Sequence, residues 1–222
     1  MKEVASAGSV VERPVVLGVN DIALNGDLSL PPDARGLVIF AHGSGSSRHS
    51  TRNRLVAEVL HQSRFATLLL DLLTEHEERT DVVTAEFRFD IPLLGERVVA
   101  AVDWAGAHEP TAALPLGLFG ASTGAAAGLI AAAKRPKAVR AVVSRGGRVD
   151  LADRAMSGVT APTLLIAGER DDVVIELNRQ ALERLNATKA LQIVPGASHL
   201  FEEPGTLERV ARLAGEWFAR YL

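Results

Sequence analysis

Short apolar runs alternate with amphipathic stretches along most of this chain. Gly36–Ala41 and Phe65–Leu70 are continuous apolar runs of strand length, and Leu114–Phe119, Val139–Val143, Thr163–Ala167 and Leu191–Val194 repeat the pattern. Runs of this kind predict strands buried on both faces of a sheet. Between them, Leu55, Val56, Val59 and Leu60 recur at helical spacing within Asn53–Gln62. Further helices are predicted over Ile91–Trp104, with Pro92 tolerated in the first turn, and over Ser122–Lys134, Leu177–Leu185 and Leu207–Tyr221. Val15–Val19 and Ile22–Leu30 predict a hairpin around Val19-Asn20-Asp21, ended by Pro31-Pro32. Asp71–Asp90, acidic through Glu75, Glu77, Glu78 and Asp81, reads as a loop. Alternating strand and helix gives a mostly parallel sheet with helices on both faces, and the hairpin supplies an antiparallel edge. No repeat and no break in composition divides residues 1–222, which read as a single α/β domain.

Pro110–Ala133 has no charged residue, and Gly120, Gly124 and Gly128 follow the small-xxx-small spacing of membrane helices. Pro115, Ser122, Thr123 and the many Gly and Ala residues make a poor lipid-facing helix, so a buried strand running into a buried helix is the reading adopted. Lys2, Glu3, Glu12 and Arg13 interrupt any signal-type apolar core before Val19, and a cytoplasmic location is expected. The net charge is −3 and aromatics are 5%, which gives no electrostatic or stacking basis for binding nucleic acid or an anionic membrane. The absence of cysteine removes disulfides, thiolate metal sites and a cysteine nucleophile together.

In sheets of this kind ligands sit beyond the carboxyl ends of the strands. Those ends are followed here by His42-Gly43-Ser44-Gly45, Asp71, Gly120-Ala121-Ser122-Thr123-Gly124, Ser144-Arg145, Gly168–Asp172 and Pro195–His199. The G-x-S-x-G sequence at 120–124 is weak alone, but at a strand-to-helix turn it presents Ser122 as a nucleophile at a helix N-terminus. A serine hydroxyl needs a base, and His199, after the last strand, is the candidate. His49, His61, His76 and His108 read as solvated surface, and His42 as a pin for its own loop. An orienting acid between the two in sequence is Asp171, with Asp172 next in order and assigned instead to capping the following helix. Oxyanion donors are expected from the backbone N–H of Thr123 and of Ser44, whose neighbours Gly43 and Gly45 are substitutes. Arg145 is a candidate for binding a substrate carboxylate, with Arg48 and Arg148 weaker; an ion pair between Arg145 and the Asp71–Asp81 segment is the structural alternative.

Taken together, His42-Gly43, the elbow at 120–124, Asp171 and His199 resemble the α/β-hydrolase fold in its small, dienelactone-hydrolase-like branch, from about Val15 to Leu222. The resemblance implies an eight-stranded sheet and hydrolysis through an acyl-enzyme. Dienelactone hydrolases proper carry a cysteine nucleophile, so the dienelactone substrate is not carried over, and the serine form resembles general esterases.

Only Ser144–Ala161 separates the sixth strand from the seventh, too little for a helical lid, so an open site for a small or polar ester-like substrate is expected. No cofactor and no metal is expected: the third glycine of a dinucleotide loop would fall at Arg48, no Walker lysine follows, and His76 among Glu75, Glu77 and Glu78 shares no helix face with them. The expected activity is that of a serine hydrolase on ester, thioester or lactone bonds. A catalytically silent ligand-binding protein of the same fold is the alternative. Oligomeric state is not set by the sequence.

Overall fold

The computed structural model describes residues 9–19 and 21–222. The sequence reading of the first eight residues, and of Asn20 at the hairpin tip, lies outside the described residues. Eight strands form one sheet in the order β1-β2-β4-β3-β5-β6-β7-β8. They are β1 Val11–Val19, β2 Ile22–Leu30, β3 Gly36–Ala41, β4 Phe65–Leu70, β5 Leu116–Ala121, β6 Val139–Arg145, β7 Thr163–Gly168 and β8 Lys189–Val194. All pairings from β4 to β8 are parallel; β2 is antiparallel to both β1 and β4. β3 and β4 coincide with their apolar runs because every residue in them is buried.

Among the described residues the α-helices are α1 Thr51–Gln62, α2 Glu75–Thr84, α3 Ile91–Ala107, α4 Thr123–Lys134, α5 Asp172–Arg184 and α6 Thr206–Tyr221. Alternation within each strand divides the core between the two faces. Leu37, Ile39 and Leu118 join Leu94, Val98 and Val102 of α3 and the alanines of α4 on one face. Val38, Phe40 and Phe119 join Val56 and Leu60 of α1 and Val210, Ala214 and Phe218 of α6 on the other. Strand β5 and helix α4 account for the uncharged stretch that begins at Pro110. No helix among the described residues is long and apolar enough to cross a membrane.

Two helices lie where the sequence reading placed none. Asp71–Asp90 is not simply a loop, because α2 forms within it. This helix buries only Asp81, so it lacks the apolar stripe that marks a helix in sequence. It is held by polar contacts instead. Thr74 and Glu77 form a capping box, Arg97 Nη2 donates to Glu77 Oε1 at 2.7 Å, and Arg88 Nε donates to Asp81 Oδ2 at 2.6 Å. The segment before β7 holds no lid, only a 3-10 helix over Val149–Gly158.

The strand order reverses at β3, which lies between β4 and β5. The loops after β3 and β5 therefore diverge at their carboxyl ends and leave a crevice. Ser44 and Ser122 stand on its two sides.

Candidate active site

Ser122 lies between the end of β5 and the start of α4, with φ 50° and ψ −121°. That backbone conformation is sparsely populated for a serine and costs on the order of 1–3 kcal/mol. The flanking glycines make the turn possible. A Cβ on Gly124 would lie 2.2 Å from Ala41 O, and one on Gly120 would lie 2.4 Å from Ala125 Cα, both backbone atoms that cannot give way. The turn is tied to the next loop by Ser122 N donating to Arg145 O at 3.2 Å and Arg148 N donating to Ser122 O at 3.1 Å.

The Ser122 side chain makes no capping bond to α4. It opens into a cavity of about 250 Å³ that also holds His199, Arg145, Arg52 and Ser44. His199 Nδ1 lies 2.5 Å from Asp171 Oδ2, which fixes the imidazole orientation. Asp171 occupies the N-cap position of α5 without capping it, so its carboxylate is free for the imidazole. Asp172, expected as the cap, is instead the exposed first residue of the helix, because α5 begins at Asp172 and not at Leu177. Among the described residues no hydrogen bond joins Ser122 Oγ to His199; catalytic contacts of this type commonly close only when substrate is bound.

Two carboxylates not singled out in the sequence hold the His199 loop. Gly196 N donates to Glu169 Oε2 at 2.7 Å and Ser198 N donates to Glu203 Oε2 at 3.0 Å. The Ser198 N–H, with the Glu203 N–H, holds the Glu203 carboxyl below its ordinary range. Nothing in the local sequence separates these glutamates from their solvated neighbours.

Ser44 and Thr123 face each other across the crevice, with Ser44 Oγ 3.2 Å from Thr123 Oγ1. Among the described residues neither backbone N–H has an acceptor. Two unpaired donors beside the Ser122 hydroxyl are the requirement for holding an oxyanion. His42, only 7% exposed, secures the Ser44 loop. The Leu72 N–H donates to His42 Nε2 at 3.0 Å, so that nitrogen is an acceptor and the proton sits on Nδ1, 2.9 Å from Gly43 O. The ring is therefore neutral, and burial lowers its pKa although Gly43 O, Asp71 and Glu78 oppose the shift.

The arginines sort differently from the sequence reading. Arg48 pairs with Asp71, Arg88 with Asp81 and Arg148 with Asp150. The alternative ion pair between Arg145 and the Asp71–Asp81 segment does not form. Among the described residues Arg145, 7% exposed, has only a long 3.4 Å contact to Asn53 Oδ1, and its Nε is buried without a partner. Burial and the neighbouring Arg52 push it down to about 10, so it stays charged near neutral pH. Two histidines read as solvated surface are also engaged: His61 Nε2 lies 2.8 Å from Thr67 Oγ1, and His108 stacks on Trp104 at 4.1 Å.

The profile of the dienelactone hydrolase family matches residues 28–220. The chain belongs to the dienelactone hydrolase family. A crystal structure of dienelactone hydrolase from Anabaena variabilis is 56% identical with a TM-score of 0.94, over 96% of this chain and 99% of that one. A lidless α/β serine hydrolase from Xanthomonas campestris shares the fold at 23% identity and TM-score 0.71, over 94% of each chain. A Mycobacterium tuberculosis H37Rv protein named "Putative phosphoribosyl transferase" is 56% identical over 95% of this chain. The match is 46% of that protein, so this chain spans about half the length of such curated relatives. The dienelactone hydrolase structure and the lidless serine hydrolase agree with the expected α/β-hydrolase architecture.

The neutrality of His42 predicts a stability change with sign. Its folded pKa lies below the ordinary imidazole value of about 6.5, so the unfolded chain binds the extra proton first. Its contribution is complete above pH ~6.5 and is lost as pH falls through the folded pKa. Urea denaturation between pH 5 and 7 is expected to show stability falling on the acid side. The slope should be smaller in His42→Gln, with the remainder due in part to His61, whose pKa burial also lowers. An unchanged slope would contradict the neutral state assigned to His42.

Proposed function

We propose that the protein is a serine hydrolase of ester-like bonds. The observation that carries this reading is the strained Ser122 opening into one cavity with an imidazole already bonded to Asp171. In the proposed reaction Ser122 Oγ attacks the substrate carbonyl and its proton passes to His199. Asp171 orients the imidazole and stabilises its charged form. The Thr123 and Ser44 N–H groups take the oxyanion. The bond to the leaving alcohol breaks as His199 returns the proton to it. Water then attacks the acyl-enzyme, giving its proton to His199, and Ser122 is released with that proton.

Arg145 is proposed to bind a negatively charged group of the substrate, with Arg52 beside it. A buried guanidinium without a carboxylate is costly in the free protein and gains most from an incoming anion. The name of the Mycobacterium relatives suggests a second reading, in which this cationic cavity holds a phosphorylated sugar for transfer. That reading leaves the Ser122 conformation and the Asp171–His199 bond without a role, and the name belongs to proteins about twice as long as this match.

A fluorophosphonate probe is expected to label Ser122 close to stoichiometrically, read by mass spectrometry, and Ser122→Ala should take no label. A folded wild type that stays unlabelled would support the silent binding protein instead. Arg145→Met is expected to lower kcat/KM for an ester carrying a carboxylate by about 10- to 100-fold, the loss of one charged hydrogen bond. A matched neutral ester should change far less. Equal losses on the two would remove Arg145 from substrate binding.

A further inference from the structure

The crevice has a second arm. A cavity of about 80 Å³ runs under α2 from the Ser44 loop, with apolar walls from Leu72, Leu73, Val82 and Leu94. It shares Gly43, Ser44 and Ser46 with the larger cavity and includes Thr123, but not His199 or Arg145. The two arms thus meet at Ser44, and only the larger is lined by Ser122 and the base.

That asymmetry assigns the two halves of a substrate. At the tetrahedral carbon the oxyanion points to the Ser44 and Thr123 N–H groups. The leaving oxygen lies toward His199, from which it takes its proton, and so does the alcohol attached to it. The remaining substituent is the acyl chain, which projects away from His199, into the arm under α2. The charges around that arm are largely spent: Asp81 on Arg88 and Asp71 on Arg48. Glu78, exposed at the rim, adds negative charge and disfavours an anionic acyl group. Apolar walls and a volume about a third of the other arm select a short, neutral aliphatic chain.

Resting on the serine-hydrolase reading, we infer that a short aliphatic acyl group sits under α2 while the larger alcohol occupies the Arg145 side, so that Leu73 and Val82 set acyl-chain selectivity. Helix α2 is suited to such a wall. It is fastened by the Glu77–Arg97 pair and, within the cavity lining, by the Asp81–Arg88 pair, and it contributes no apolar residue to the core, so its exposed apolar residues are free to vary. Val82 is 74% exposed and can be replaced with little cost to folding, whereas Leu73 is half-buried against the core, so the folding of Leu73→Ala is checked beside its activity.

The test measures acylation of Ser122 by p-nitrophenyl esters from acetate to octanoate in wild type, Val82→Trp and Leu73→Ala, with fluorophosphonate labelling of each. A parallel series keeps acetate and varies the alcohol. Wild type should prefer short acyl chains. Val82→Trp should lower the rate for butanoate relative to acetate by roughly tenfold, the scale of methylene discrimination in an apolar pocket. Leu73→Ala should move the optimum to longer chains, and neither variant should alter the ranking of alcohols. Variants that reorder the alcohols, or leave the acyl profile unchanged, would overturn the assignment. So would a wild type that labels with fluorophosphonate but accepts no acyl chain. A folded wild type that does not label would instead remove the serine-hydrolase reading on which the assignment rests.

Discussion

The turn at Ser122 is the constraint on which the rest of the site depends. A serine held at positive φ is maintained only if the surrounding backbone leaves no alternative. Here β5 enters the turn from the sheet centre, α4 leaves it, and the end of β3 closes against Gly124 at a distance that excludes a Cβ. The same close approach brings the Ser44 loop beside the first turn of α4, so the serine and the two unpaired N–H donors are set by one packing event. Arg145, the last residue of β6, and the loop after β8 that presents His199 are then added on the strands beyond.

What the turn positions is electrostatically uneven. On the His199 side the cavity holds Arg52, paired with Glu202 at 3.6 Å, and Arg145, which among the described residues has no carboxylate partner. Under α2, Asp71 and Asp81 are paired, Glu78 is exposed at the rim, and the walls are apolar. On the proposed assignment, a site divided in this way sorts the two ends of a substrate before any bond changes. The interactions that hold the walls follow the same division. Ion pairs and a capping box hold α2, whereas strands β3 to β7 and helices α1, α3, α4 and α6 are held by apolar burial.

That difference explains what could be read from the sequence. β3 and β4 were legible to the residue because burial on both faces demands continuous apolar runs. Ser122, Asp171 and His199 were legible as candidates because strand ends in a parallel sheet share one rim, and the structure brings Ser122 and His199 to one cavity, with Asp171 bonded to the imidazole. Helix α2 was missed because its stability lies in Glu77–Arg97 and Asp81–Arg88, which join residues in pairs that periodicity cannot detect. Its Thr74-x-x-Glu77 capping box was the one available signal. The start of α5 was placed late because Val173 is exposed and breaks the apolar period of its first turn. Which arginine would lack a partner was beyond sequence, since Arg48, Arg145 and Arg148 all follow or approach strand ends and only the fold chooses their neighbours.

The central claim is that Ser122, His199 and Asp171 act as a unit, and a mutant cycle on the rate of fluorophosphonate labelling of Ser122 tests it most directly. The rate would be measured in wild type, Asp171→Asn, His199→Ala and the double variant. The account predicts that each single change slows labelling severely and that the double variant is no slower than His199→Ala, because Asp171 acts only through the imidazole. Losses that multiply in the double variant, or a His199→Ala protein that labels at the wild-type rate, would contradict it.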